Sequence, residues 1–429
     1  MGDWAVSEKL QTGFAFPETG REWDEVLSDL EAFKSDDFDW RRGRLPTYTY
    51  FWNEELLAKQ KSSYTAYLGE NGLGEGSAFK SIARMSSDIY SAARSIFHAP
   101  DDATASFTSG GSESLFLAVK TCRDWTRSKR KEPKGQYNIV AGESAHPALL
   151  KAAKIMDVEV RRVPVDAEYR VSAEALRAEI DDRTMMLFAS APCYPYGVFD
   201  RIEDISALAL SLDLWFHVDG CWGGFISPFA KLLGYPIPEW DLAVPGVTSL
   251  SADLHKFGYA AKGASLLLYR DPSMMEHQAY YFDDWPRGIY YTPTLSGSKA
   301  AGSVSSAWAM LQHLGLKGYI EATDATMAAT MQLIAGIDQI DGLETLPQYR
   351  ESNLFSFVST DDAVDIMAVA DILQENGWMR GRMKTPLAVH QGVTASHLPY
   401  VAEYLEVVSD AVDEARRTGR KGKFGVRSY

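Results

Sequence analysis

Leu212-Asp213-Leu214-Trp215-Phe216-His217-Val218-Asp219-Gly220 and, some thirty residues on, Val247-Thr248-Ser249-Leu250-Ser251-Ala252-Asp253-Leu254-His255-Lys256 follow one plan. Each is an apolar, β-rich run that stops at an ionisable side chain, a carboxylate at Asp219 and an amine at Lys256. Such runs read as strands, and strands without polar alternation belong to a sheet covered on both faces. Five more lie at 105–109, 137–141, 158–165, 185–190 and 265–269, separated by segments of helical spacing such as 113–125 and 147–156. The alternation predicts an α/β fold with a mostly parallel, seven-stranded sheet. Ligands of open α/β sheets bind beyond the carboxyl ends of the strands, so Asp219 and Lys256 are expected to share one crevice.

At 429 residues the chain exceeds the roughly 300 at which single cores stop growing. Residues 1–55 read as an N-terminal segment with a helix near 22–33 and an aromatic stretch at 48–52. Residues 56–315 form the expected large domain. Within 53–97 the helical spacing is interrupted by Gly72-Leu73-Gly74-Glu75-Gly76, a flexible turn or a close backbone approach. Two long helices are expected at 303–314 and 320–337. Residues 316–429 form a small C-terminal α/β domain with strands at 354–358 and 387–391 and helices at 363–376 and 397–415. The basic stretch 416–427 reads as a solvated end.

A formal charge of -15 and a pI near 5.1 argue against a nucleic-acid partner, which would need a basic face. Cys122, Cys193 and Cys221 form no C-x-x-C pair, so neither a disulfide framework nor a zinc knuckle is indicated, and a reducing cytoplasm is expected. The start, Met1 to Ser7, has no secretory pattern, and Val6 stands where a myristoylation signal needs Ser or Thr. No apolar run reaches the roughly 20 residues of a membrane span. No metal site is expected, for His-Glu-x-x-His is absent; so are a Walker A loop and a Gly-x-Gly-x-x-Gly after the first strand, while Gly263-Ala264-Ser265-Leu266-Leu267 lacks the last glycine of a hydrolase elbow.

A lysine and a carboxylate at neighbouring strand ends are what an enzyme needs to hold pyridoxal phosphate. The amine forms a Schiff base with the aldehyde, and the acid keeps the pyridine nitrogen protonated. Thr108-Ser109-Gly110-Gly111-Ser112-Glu113-Ser114 joins a strand to a helix, where backbone amides with Ser109 or Ser112 suit a phosphate dianion, or where the residues merely cap the helix. His146, after Glu143-Ser144-Ala145, ends another strand and is placed to cover a flat ring or move protons, unless it is structural. His255 is either a donor to the cofactor phosphate or a packing residue, and Asp219 has a helix-capping reading.

Together these motifs resemble the group II pyridoxal-phosphate decarboxylase family of fold type I, most of all its sphingosine-1-phosphate lyase branch. The likeness spans about residues 50–302 and includes the block from Gly246 to Gly263, Asp284-Trp285-Pro286-Arg287-Gly288-Ile289-Tyr290 and Ser296-Gly297-Ser298. The resemblance implies that Lys256 carries the cofactor, Asp219 partners its ring nitrogen and His146 stacks on the ring. It implies that Gly110, Gly111, Ser112 and His255 hold the phosphate, with Ser298 reaching it from a second subunit, hence a homodimer with shared sites. Tyr50, Asn71, Tyr194 and Lys262 match residues lining the lyase site, Tyr50 and Lys262 near a substrate phosphate. Two departures stand out. Asn71-Gly72-Leu73-Gly74-Glu75 replaces Asn-Pro-Leu-His-Pro, putting Gly74 at a phosphate-binding histidine. Gly220 replaces an alanine under the ring, which predicts more room on that face.

The expected chemistry is retro-aldol cleavage of a 2-amino-3-hydroxy substrate, phosphorylated or not, to an aldehyde and an amine. Tyr194 or His146 would move the hydroxyl proton, and Lys256 would reprotonate the carbanion. Decarboxylation of an L-amino acid is the alternative, since both reactions use the same cofactor residues. A scaffold without turnover would need neither Asp219 nor Lys256.

Overall fold

The computed structural model describes residues 19–132 and 134–424, so the readings of residues 1–7 and 425–427 lie outside them. The chain separates into residues 1–38 and 39–429. The first contains α1 (Trp23–Ala32), on the expected helix, and a 3-10 turn at Phe33–Asp36.

In the second, α2 (Glu54–Thr65) starts where Asn53 accepts the Leu56 N–H at 2.8 Å, and α3 (Lys80–Ile96) lays Ile82, Ile89 and Ala93 into the core. Between them Gly72 lies where a Cβ would stand 2.8 Å from Lys299 Cγ, so the glycine-rich stretch is a close approach. The main sheet then alternates with helices: β1 (Thr104–Thr108), α4 (Gly111–Arg130), β2 (Asn138–Gly142), α5 (Pro147–Ile155), β3 (Glu159–Val163), α6 (Ala173–Ala178), β4 (Thr184–Ser190), α7 (Ile202–Leu212), β5 (Trp215–Asp219), α8 (Ser227–Leu232), β6 (Ser249–Ala252) and β7 (Ser265–Tyr269). All seven expected runs are strands. Their order is β1-β7-β6-β5-β4-β2-β3, with β7 antiparallel to both its neighbours and the rest parallel. The run at 212–218 starts late because Leu212 ends α7 and Asp213 turns the chain in the left-handed region, φ 53°.

Side-chain alternation divides the core. Phe216, Val218, Leu250 and Leu266 pack in one cluster with Ile82 and Ile205, whereas Trp215, Phe188 and Leu267 pack in another with Leu117 and Leu149. After α9 (Met274–Gln278) comes a hairpin, β8 (Tyr280–Phe282) with β9 (Tyr290–Thr292). The run α10 (Ala301–Ile337) breaks at Gly315 (φ 54°, ψ -171°), between the two helices expected. A second sheet, antiparallel throughout, orders β10 (Leu343–Leu346), β11 (Leu354–Ser359), β12 (Gly381–Lys384) and β13 (Leu387–Gly392) as β10-β11-β13-β12. With α11 (Ile366–Glu375) and α12 (Val401–Thr418) it forms its own core around Phe355, Leu373, Val389 and Val408. The basic stretch is not simply solvated. Arg416 Nε bonds Asp361 at 2.9 Å and Arg420 grips both carboxylate oxygens of Glu375, because α12 ends beside these acids.

Candidate active site

Asp219 is the last residue of β5 and lies opposite Ser251 of β6. Its Oδ1 accepts the Cys221 N–H at 3.0 Å and the Ser251 hydroxyl at 3.3 Å, bonds that leave Oδ2 for a ring N–H. Beyond β6 the chain turns through Asp253, whose buried Oδ2 lies 2.9 Å from Lys256 Nζ and 3.6 Å from His255 Nε2. Burial alone would pull the Lys256 amine down; the Asp253 charge wins and carries it well above the ordinary lysine value. Asp253 is held down in turn, its burial outweighed chiefly by the Lys256 charge. His255 is neutral, burial pushing it down to about 4. Its Nδ1 accepts the Ala264 N–H at 3.2 Å, so the proton sits on Nε2 and that nitrogen is the one able to donate. His146 repeats the device: burial lowers it, and Nδ1 accepts the Ala148 N–H at 3.2 Å at the start of α5, leaving Nε2–H as the donor.

No side chain caps α4, whose first amides have no intrahelical partner. A Cβ at Gly111 would stand 2.7 Å from Cys221 Sγ and 3.2 Å from both Asp253 carboxylate oxygens, and one at Gly110 would stand 3.3 Å from His255 Cε1. Only glycines let this helix start, the His255 ring and the β5 and β6 ends meet. Glu113 secures the turn, its Oε2 accepting the Ser109 N–H at 2.7 Å and its Oε1 the Leu295 N–H at 3.0 Å. The donor set fits pyridoxal phosphate. Gly110, Gly111, Ser112 and His255 could take the phosphate, Asp219 the ring nitrogen, His146 the ring face and Lys256 the aldehyde carbon.

Trp222 is the hub of the far wall. Its ring meets Tyr50, Tyr194 and Phe257 edge-on at 5.8, 5.4 and 5.3 Å, Lys256 Nζ lies 5.8 Å from its centroid, and its Nε1 donates to Asn353 at 2.9 Å. Lys262 Nζ lies 4.5 Å above the Tyr50 ring. Its residue reaches solvent, yet enough protein surrounds the amine that burial, then the Lys256 charge, lowers it to about 8. Asn71 and Ser298 meet each other instead, Nδ2 donating to Oγ at 2.9 Å, while Asn71 Oδ1 accepts the Leu73 and Lys299 amides.

One expectation fails: Gly220 leaves no added room, because the place of its Cβ is filled by Trp240 Cζ3 at 2.8 Å and the Ser251 carbonyl at 2.9 Å. At Gly74 the space belongs to the Phe79 ring, 2.8 Å from a Cβ, which a histidine would displace. Sequence reading passed over Asp253, Cys221, Ser251, Glu113 and Trp222. Asp253 stands three residues before Lys256 and Glu113 at the third helical position of α4, both readable signals; Trp222 gave none. Among the described residues no group of three His, Cys, Asp or Glu side chains is placed to hold a metal ion, and no helix is long and apolar enough to cross a membrane.

Residues 81–359 match the pyridoxal-dependent decarboxylase conserved domain. Sphingosine-1-phosphate lyase from Oryza sativa is 36% identical over 400 residues, 91% of this chain and 73% of the relative. The structure of sphingosine-1-phosphate lyase from Burkholderia pseudomallei superposes with a TM-score of 0.89 at 34% identity, covering 97% of this chain and 96% of the other. Glutamate decarboxylase from Lactobacillus brevis has the same fold, with a TM-score of 0.83 at 18% identity over 94% of this chain and 95% of its own.

Proposed function

The chain belongs to the pyridoxal-dependent decarboxylase family and is a pyridoxal-phosphate-dependent lyase of fold type I, and from that premise we infer that it cleaves the C2–C3 bond of a phosphorylated 2-amino-3-hydroxy substrate, releasing an aldehyde and a smaller amine. The observation that carries the substrate reading is the Lys262 amine held over Tyr50 and within reach of the Lys256 charge, where the cofactor seat has no use for a second cation. An ammonium there suits a dianionic head group.

Bound pyridoxal phosphate supplies the sink for the electron pair that the breaking bond releases. The protein does the rest. The buried Asp219 would hold the proton on the ring nitrogen, and His255 Nε2–H and the first α4 amides would anchor the phosphate. His146 keeps its proton on Nε2, so it acts as a donor, and Tyr194 would take the C3 hydroxyl proton as its phenolate, its own proton having passed to solvent. The ammonium of Lys256, held in its charged form by Asp253 at 2.9 Å, would give a proton to the product carbon and be left as the neutral amine. Trp222, Tyr50 and Phe257 exclude water from that face.

We further propose a cytoplasmic homodimer. The 280–295 hairpin exposes Tyr280, Tyr281, Trp285, Ile289 and Tyr291, an apolar patch that a second copy would cover and that lies beside Ser298. The three free, buried cysteines suit a reducing compartment.

The deciding experiment incubates holoenzyme with phosphorylated and unphosphorylated 2-amino-3-hydroxy alkanes and with the common amino acids, trapping aldehyde and carbon dioxide separately. Aldehyde from the phosphorylated compound is expected. Carbon dioxide from an amino acid, with no aldehyde from any alcohol, would hand the chain to the decarboxylases.

A further inference from the structure

Behind Asp219 lies a row of polar side chains for which the chemistry above has no use. In the parallel pairing of β5 and β6, His217 is opposite Ser249 and Asp219 opposite Ser251. Two-residue alternation therefore sets Trp215, His217 and Asp219 on one face together with Ser249 and Ser251. Trp215 Nε1 donates to Ser249 Oγ at 2.8 Å, and Ser249 Oγ lies 2.8 Å from His217 Nδ1. His217 Nε2 lies 3.3 Å from Ser251 Oγ, which lies 3.3 Å from Asp219 Oδ1. The Cys221 thiol also points at Ser251 Oγ, from 3.3 Å. Trp215, His217, Ser249 and Ser251 are all buried.

Counting protons gives the row a direction. An indole N–H can only donate and an ionised carboxylate can only accept. Ser249, accepting from Trp215, turns its one proton to His217 Nδ1. The imidazole is then the Nε2–H tautomer and donates to Ser251. That hydroxyl accepts from His217 and from Cys221, which uses both lone pairs, and its proton goes to Asp219. Burial keeps His217 neutral, near 4, and Phe188, stacked 5.4 Å away, holds its plane.

We propose that Trp215, Ser249, His217 and Ser251 form a one-way donor line that aims and polarises the Asp219 carboxylate, with His217 as a positioning residue for the cofactor's ring nitrogen. Each link strengthens the next, and the last one occupies Oδ1 so that Oδ2 is the oxygen presented to the ring. Donation into the carboxylate also stabilises its charged form, which a nitrogen needing a permanent counter-charge requires. The inference rests on the cofactor seat and not on the choice of substrate.

The test reads holoenzyme without substrate first, so that a wrong substrate cannot mask the answer. His217→Phe keeps ring volume and the Phe188 stack but removes both nitrogens; His217→Gln can still accept and donate. The pH midpoint of the cofactor's visible band should move by about half a unit or more in His217→Phe, and cofactor affinity should fall several-fold. With a turned-over substrate kcat should drop roughly tenfold with KM little changed, the pattern of a lost transition-state interaction. Ser251→Ala should do the same, the double variant should be no worse than either single one, and His217→Gln should recover most of the loss. A parental band and midpoint in His217→Phe, with only the melting temperature lowered, would reduce the row to packing. So would additive effects in the double variant. Should His217→Phe not fold, Ser249→Ala and Ser251→Ala carry the same readouts and decide the matter in the same way.

Discussion

Gly111→Ala probes the cofactor seat where it is tightest. The new Cβ would stand 2.7 Å from Cys221 Sγ and 3.2 Å from the two Asp253 oxygens. Non-bonded heavy atoms rest about 3.5–4.0 Å apart, so the sulfur contact is short by about 1 Å. Cys221 and Asp253 are both buried, and neither is a flexible surface chain that can swing aside. The start of α4 or the ends of β5 and β6 must move instead, at a cost of about 1–3 kcal/mol. Gly111 is already helical, so alanine also restricts the unfolded chain and returns about 0.4–1 kcal/mol of stability. The gain offsets only part of the cost, so a melting experiment should read a net loss of about 1 kcal/mol. No such offset acts in cofactor binding, where both states are folded and only the displaced amides count. Pyridoxal phosphate affinity, titrated by visible absorbance or equilibrium dialysis, should weaken about 10–100-fold, which is about 1.4–2.8 kcal/mol. Cys221→Ala in the same background removes the shortest contact and should recover at least half of that loss on a logarithmic scale. Affinity within twofold of the parent in Gly111→Ala, or no recovery with Cys221→Ala, would refute the reasoning.

The Lys262 amine is a cation below about pH 8 and neutral above it, so kcat/KM for a phosphorylated substrate should fall as pH rises through that value. Lys262→Arg should carry this limb to higher pH, and an unphosphorylated analogue should show no limb; a limb common to both substrates would assign it to another group. Glu351→Gln leaves the buried Arg170 guanidinium, now bonded to both Glu351 oxygens at 2.6 and 2.9 Å, without its main counter-charge. Urea unfolding should show a loss of about 2–4 kcal/mol, tempered by the second acid, Glu168. Trp222→Phe keeps the ring contacts but strands the buried Asn353 oxygen, and should cost about 1–3 kcal/mol while raising KM through the loosened Tyr50 and Tyr194.

The main sheet was legible because its strands are buried on both faces and read as unbroken apolar runs; β2, β4, β5, β6 and β7 are buried along their whole length. The edge strands of the second sheet were not, since β10 and β12 are four residues each and half polar, too short for a period to register. At the site, Lys256 and Asp219 were visible as ionisable residues at strand ends, and the glycines at 110 and 111 as a strand-to-helix turn. Cys221 and Ser251 act through contacts between segments about thirty residues apart, and pattern reading along one segment does not reach them, whereas Asp253 acts on Lys256 three residues on. Gly220 shows the opposite error. A missing methyl group suggests space only until the neighbour is known, and here the neighbour is an indole.

Glu113 holds Ser109 with one oxygen and Leu295 with the other, and so ties the phosphate turn to the far end of the exposed hairpin segment. In the proposed dimer a second copy docks on that segment, so quaternary assembly and retention of the prosthetic group pull on the same carboxylate. If assembly raises cofactor affinity by some factor, bound cofactor must raise assembly by the same factor. Simple dilution of the yellow protein should then bleach it, and added cofactor should drive monomers back together.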